Sequence, residues 1–206
     1  MFTGIVTAIG TVTSAARSGD TRLHIGCPFD PAKIAIGASI ACSGVCLTVV
    51  ERGGEAGNAW FAVDVSDETV SKTAPGHWQE GAQINLEPAL KLGDELGGHI
   101  VTGHVDGLGR IAGREERGGS THLEIDCPAA IAPYLAPKGS ITVDGVSLTV
   151  NVVEDLPDGS ARFTLNIIPH TAQVTTLGAL REGDAVNLEI DVLARYLKRM
   201  QDLRAV

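Results

Sequence analysis

Ser39-Ile40-Ala41-Cys42-Ser43-Gly44-Val45-Cys46-Leu47-Thr48-Val49 is written again 101 residues later, as Ser140-Ile141-Thr142-Val143-Asp144-Gly145-Val146-Ser147-Leu148-Thr149-Val150, with seven of the eleven positions identical. The match extends in both directions. Thr69–Glu87 and Thr171–Glu189 share eight of nineteen positions at an offset of 102. Leu23–Pro28 answers to Leu123–Pro128 at 100 and Thr3–Val6 to Thr102–Val105 at 99, so the offset drifts only by loop length. A repeat of this length exceeds the roughly 20–50 residues of solenoid units. The chain therefore reads as a tandem duplication of one domain.

The 206 residues divide into copies over 1–87 and 99–191, joined by the glycine-bearing segment Pro88–Gly98. Domain bounds follow at 1–97 and 98–191, with a tail, 192–206, that has no counterpart in the first copy. Within each copy, short apolar runs near period two (Ile5–Ile9, Leu23–Ile25, Val45–Val50, Phe61–Val65, Ile84–Leu86) are separated by Gly, Pro and charged residues. That is the pattern of an all-β sandwich or small barrel. One short helix interrupts each copy at the same place with different start signals. Ser66-Asp67-Glu68-Thr69 offers a capping hydroxyl and two acids, whereas Ile168-Pro169-His170-Thr171 puts proline at the first helical position. In the tail, Val192, Leu193, Tyr196, Leu197, Met200 and Leu203 recur at helical spacing. Such a stripe fits equally a helix folded onto its own barrel and a contact between chains.

Charge narrows the partners. There are 16 Lys and Arg against 25 Asp and Glu, a net charge of −9. Both halves are acidic, which disfavours nucleic acid, because neutralising phosphates needs clustered bases. No apolar stretch approaches the roughly 20 residues that span a bilayer, and Met1-Phe2-Thr3-Gly4 opens no basic-then-apolar leader. The expectation is a soluble cytoplasmic chain without membrane contact. The 4 cysteines include no C-x-x-C pair, so neither a disulfide framework nor a metal site is expected.

Two copies of one binding shape offer two similar pockets. If both hold the same small molecule, pseudo-twofold symmetry brings identical ligands face to face and lowers the entropic cost of their reaction. A duplication that only enlarges a scaffold is the plainer alternative. Differences between the copies mark the catalytic candidates. His104 stands where the first copy has Ile5, within the glycine-flanked stretch Leu96–Val105, and imidazole titrates near neutrality. Cys46 and Ser147 hold equivalent positions in Gly-Val-Cys-Leu-Thr and Gly-Val-Ser-Leu-Thr, as donors or nucleophiles. Asp144 replaces Ser43, and Asp191 closes Glu189-Ile190-Asp191; both are either orienting carboxylates or solvated acids. Lys138, taken alone, is an ordinary loop lysine.

The opening Met1–Val6, the Gly44–Val49 and Asp144–Val150 pair, and Gly97–His104 together resemble the riboflavin synthase family of the alpha-chain type, end to end. The resemblance implies two six-stranded Greek-key barrels and a homotrimer assembled through C-terminal helices. It implies an active site between the N-terminal barrel of one subunit and the C-terminal barrel of another. The reaction implied converts two 6,7-dimethyl-8-ribityllumazine molecules into riboflavin and a ribitylamino-pyrimidinedione by transfer of a four-carbon unit, with no metal and no added cofactor. Carried over by motif, one pocket would use Gly4, Ile5, Val6, Ser39, Cys46, Leu47 and Thr48 with Asp64, Val65, Ser66, Asp67, Glu68 and Thr69. The other would use Gly103, His104, Val105, Lys138, Ser147, Leu148 and Thr149 with Ile168, Pro169, His170, Thr171, Ala172 and Gln173. His104 would be the acid/base, Ser147 and Cys46 donors or transient nucleophiles, Asp144 and Asp191 orienting groups, and Lys138 a stabiliser of negative charge. Light-emitting antenna proteins that bind lumazine share the fold but have lost one half's motif, whereas both halves keep theirs here.

Overall fold

The alternating apolar residues of each copy form antiparallel strands that wrap around a core of their own, in a computed structural model that describes residues 1–204. The first copy is built from β1 (Ala8–Ser18), β2 (Asp20–Cys27), β3 (Ser39–Cys42), β4 (Val45–Glu55), β5 (Asn58–Val65), α1 (Asp67–Lys72) and β6 (Gln83–Pro88). Its strands close into a barrel in the order β1-β2-β5-β4-β3-β6. The second copy repeats the plan with β7 (Gly107–Arg117), β8 (Ser120–Cys127), β9 (Ser140–Val143), β10 (Val146–Thr149), β11 (Val153–Asp155), β12 (Ala161–Ile167), α2 (Pro169–Val174) and β13 (Ala185–Ile190).

The second sheet has seven strands rather than the six expected, in the order β10-β9-β13-β7-β8-β12-β11. The extra strand is one strand divided. β4 carries a register shift between Val49 and Glu51, and β10 and β11 part at the equivalent residues, Val150–Val152. What is a bulge in one copy has become a break in the other.

Both helices start as their sequences dictate. Ser66 accepts a hydrogen bond from the Thr69 amide at 3.2 Å, and Pro169 takes the first turn of α2. The hairpins β3–β4 and β9–β10 turn on Ser43-Gly44 and Asp144-Gly145, with φ of 44° and 82° in the first and 44° and 81° in the second. Two consecutive left-handed residues make the turn whose twist matches antiparallel strands. The two hairpin tips abut, since a Cβ on Gly44 would lie 2.9 Å from the Gly145 amide nitrogen.

That contact marks the seam between the barrels. Ile84 and Leu86 of β6 point into the first core, and Val186 and Leu188 of β13 into the second. By the period of two, Asn85, Glu87, Asn187 and Glu189 face outward, yet each is at most 5% exposed. The outer face of each strand is covered by the other barrel. Asn85 donates to the Asp144 carbonyl and Asn187 to the Ser43 carbonyl, both at 2.8 Å, so the two asparagines pair across the seam, while Glu87 and Glu189 each accept from a segment of their own copy. Phe2 and Val101 complete it with a two-bond bridge between the segments leading into the two barrels.

A third helix, α3 (Val192–Arg204), follows β13 directly. Asp191 accepts from the Leu193 amide at 2.8 Å, and Arg195 pairs with Asp106. Leu193, Tyr196, Leu197, Met200 and Leu203 are each more than half exposed. The stripe thus faces away from its own barrel. The last two tail residues lie outside the described residues. Among the described residues, no helix is long and apolar enough to cross a membrane.

Candidate functional site

Each copy begins with a Thr-Gly segment that a buried glutamate clamps. The Thr3 amide and hydroxyl donate to Glu87 Oε1 at 2.7 and 2.8 Å, and the Gly4 amide to Oε2 at 2.9 Å. In the second copy, the Thr102 amide and hydroxyl donate to Glu189 Oε1 at 2.7 and 2.6 Å, and the Gly103 and His104 amides to Oε2 at 2.9 and 3.1 Å. Burial pushes both carboxyl pKa values up, against the pull of these donors.

The clamped segments then exchange barrels. The Ser147 amide donates to the Gly4 carbonyl and the Cys46 amide to the Gly103 carbonyl, both at 2.8 Å. Val6 packs against the second core and Val105 against the first. The motif-based grouping is therefore corrected at this point: Gly4, Ile5 and Val6 join Ser147, and Gly103, His104 and Val105 join Cys46. Two equivalent pockets result. One, of 260 Å³, is lined by Val45, Cys46, Glu68, Thr69, Lys72, Thr73 and Gly103–Val105. Its counterpart, of 130 Å³, is lined by Gly4–Val6, Val146, Ser147, His170, Thr171, Val174 and Thr175.

The remaining expected residues lie at the edges of these pockets or away from them. Leu47 and Val65 are buried in the first core, and Leu148 and Ala172 pack on the second. Thr48, Thr149, Ile168, Pro169 and Gln173 are exposed near the pocket strands and helix. Asp64 and Asp67 are engaged by Arg22 and Arg17, and Ser66 by its capping role. Ser39 lines a separate apolar groove beside Ile34, Ile40 and Leu90. Lys138 is exposed and lines neither pocket. Asp144 lies in the seam, and Asp191 starts α3.

Sequence reasoning gave no role to His99, which the structure joins to Ser147. Its Nδ1 lies 2.7 Å from Ser147 Oγ and its Nε2 lies 3.2 Å from Thr142 Oγ1. A neutral imidazole has one acceptor and one donor nitrogen. The Ser147 hydroxyl can therefore donate to Nδ1 while Nε2–H donates to Thr142. Burial lowers the His99 pKa below 6.5, opposed by the nearby Asp191 carboxylate, and so favours this neutral form. Cys46 has no such partner, because at the offset of 99 no residue of the first copy answers to His99. The two pockets are alike in position and different in size and chemistry.

A pH dependence follows. Protonating His99 removes the acceptor for Ser147, so for any reaction at this pocket the acid limb of kcat/KM is expected to have its midpoint below 6.5 and to move in His99→Gln. The unfolded chain binds the proton more readily than the folded one between the lowered value and 6.5. Stability therefore rises with pH through that window and is diminished below it. A pH–rate profile paired with thermal melts reads both; an acid limb unchanged in His99→Gln assigns it to another group.

Comparison with known proteins identifies the fold family. The lumazine binding domain model matches the chain twice, over residues 3–89 and 102–191. Riboflavin synthase of Brucella abortus is 46% identical over 202 residues, covering 97% of this chain and 98% of that protein. Riboflavin synthase of Mycobacterium tuberculosis is 43% identical over 201 residues, with 97% and 98% covered. A crystal structure of LumP complexed with riboflavin matches with a TM-score of 0.78 at 24% identity, covering 92% of this chain and 99% of that one, a likeness of fold alone. With both halves matched and these relatives aligned along nearly their whole length, the chain belongs to the riboflavin synthase family of lumazine-binding proteins.

Proposed function

We propose that the chain catalyses the dismutation of two 6,7-dimethyl-8-ribityllumazine molecules into riboflavin and 5-amino-6-ribitylamino-pyrimidinedione. The observation that carries this reading is the pair of pockets at equivalent places, one lined by Cys46 and His104 and the other by Ser147 and His170, in a chain of this family. A four-carbon unit passes from one substrate to the other, which requires a proton taken from an acidic ring methyl and an anionic ring held in place. His104 and Cys46 supply the first pocket with an acid/base and a thiol donor. Ser147, steered by His99, supplies the second with a hydroxyl. Aromatic residues are only 4% of the chain, so each substrate ring finds its stacking surface chiefly in the other substrate. Incubation with the ribityllumazine alone, without metal or added cofactor, is expected to yield riboflavin by absorbance. Binding without turnover would instead identify a non-catalytic lumazine-binding protein.

We further infer a homotrimer held by α3, with each site formed between the first barrel of one chain and the second barrel of another. Five large apolar side chains exposed along one helix face support this. So does Lys138, exposed and outside both pockets of its own chain, where it can serve a neighbour's. Deleting 192–206 is expected to reduce the mass in solution to that of one chain and to abolish turnover, as read by light scattering and the same assay. An unchanged mass would place the oligomer contact elsewhere.

A further inference from the structure

The two glutamates of the seam stand on one barrel and hold a segment that lines the pocket of the other. Glu87 belongs to β6, and the Thr3–Ile5 segment it clamps lies against Ser147 of the second barrel. Glu189 belongs to β13, and the Thr102–His104 segment it clamps lies against Cys46 of the first. We infer that Glu87 and Glu189 are positioning residues that act crosswise, Glu87 setting the Ser147 pocket and Glu189 the Cys46 pocket. The inference rests on the reading of these pockets as ligand sites.

The donor set explains why the residue must be a carboxylate. Every group reaching either side chain is an N–H or O–H, three at Glu87 and four at Glu189. Only an ionised carboxylate offers acceptors on both oxygens. A glutamine of the same shape would turn an NH2 against amide donors, and the segment would have to move. The two clamps are unequal in one respect. The Ile5 amide donates to Thr3 Oγ1, whereas the His104 amide donates to Glu189 itself. Glu189 thus fixes the backbone of the acid/base candidate directly.

Cys46 is a built-in reporter. It is half-buried, while Cys27, Cys42 and Cys127 are buried, and burial raises the pKa of these three thiols, that of Cys127 to about 11. Alkylation by iodoacetamide therefore reads Cys46. In Glu189→Gln, the ligand-free rate is expected to rise by about tenfold and protection by riboflavin to be lost, in line with removing hydrogen bonds to a charged group. Glu87→Gln should leave both unchanged. In a Cys46→Ser, Ser147→Cys chain the roles should reverse, with Glu87→Gln exposing the thiol and Glu189→Gln leaving it shielded. Thr102→Val deletes one bond of its clamp and Thr3→Val two, the one to Glu87 and the one from the Ile5 amide; each should act in the same direction as its glutamine variant more weakly, which keeps the test open if a glutamine variant fails to fold. Equal effects of both glutamates on Cys46, or an effect of Glu87 alone, would overturn the crosswise assignment. Failure of riboflavin to protect the wild-type thiol would overturn the ligand reading of the pocket, while the ligand-free rates would still judge the clamp.

Discussion

Gly103→Ala is expected to reduce turnover at least a hundredfold in a chain that still folds. Gly103 has φ of +78°, a left-handed conformation that costs an L-residue about 1–2 kcal/mol. The space is closed as well. A Cβ there would lie 2.6 Å from Cys46 Cβ, 2.9 Å from the Cys46 nitrogen and 3.0 Å from a ring carbon of buried Phe2. None of these is the free end of a flexible side chain, so the segment must lift away from the strand. Lifting it breaks the bond from the Cys46 amide to the Gly103 carbonyl and strains those to Glu189. His104 moves with it, and a displacement near 1 Å at a reacting group costs about 10²-fold. Strain and overpacking together amount to about 2–4 kcal/mol, or a fall in Tm of roughly 5–15 °C. Gly19→Ala is the control: its φ of +81° carries the same strain, but nothing lies within 4 Å of the added carbon. Gly19→Ala should lower Tm slightly and leave turnover intact. Gly103→Ala turnover within threefold of wild type would show that the segment does not shape the pocket.

The barrels and the helix starts were legible in the sequence because local chemistry sets them. Alternating Val, Ile and Leu mark strands, Ser66 caps α1, and Pro169 opens α2 whatever happens far away. The duplication itself is a comparison of the chain with itself and needs no structure. What lay beyond reach was which barrel each Thr-Gly segment would serve. Thr3–Val6 precedes the first barrel in sequence, yet its carbonyl pairs with Ser147, more than 140 positions on. Nothing within either motif encodes that exchange; it depends on how the two closed barrels dock. One signal for the seam was present in the repeat and pointed to no role by itself. Asn85-Leu86-Glu87 and Asn187-Leu188-Glu189 are identical, with polar residues flanking a core leucine on the face that a free barrel would turn to water. Their burial is intelligible only once the other barrel covers them. His99 was hidden for a different reason: it has no partner in the first copy, and its contact with Ser147 spans 48 residues.

Asp144 shows the seam at its most demanding: the sequence left it an orienting carboxylate or a solvated acid, its burial removes the second, and its replacement separates an orienting charge from a role in the joint. The side chain is 1% exposed, its Oδ1 accepts from the Asn187 amide at 2.8 Å, and His77 Nε2 lies 3.8 Å away. Burial raises its carboxyl pKa, with His77 opposing. Asp144→Ala leaves a buried amide without an acceptor, at about 1–3 kcal/mol. It also places alanine at φ of 44°, where aspartate is better tolerated. The expected loss is about 3–4 kcal/mol, readable as a large fall in Tm. The other copy indicates what should rescue it. Ser43 occupies the equivalent turn, and its Oγ accepts from the Asn85 amide at 3.1 Å, as Asp144 does from Asn187. Asp144→Ser and Asp144→Asn both keep an acceptor there and should stay within about 1 kcal/mol of wild type. The charge has its own signature. With the folded pKa raised, the folded chain holds the proton more tightly than the unfolded one, so stability is lost as pH climbs from 3.8 through the raised value. Asp144→Asn should abolish that slope. If Asp144 acts only through the joint, Asp144→Asn retains turnover along with Tm. If its charge orients a reacting group, turnover collapses in Asp144→Asn while Tm holds, and the joint alone no longer accounts for the residue.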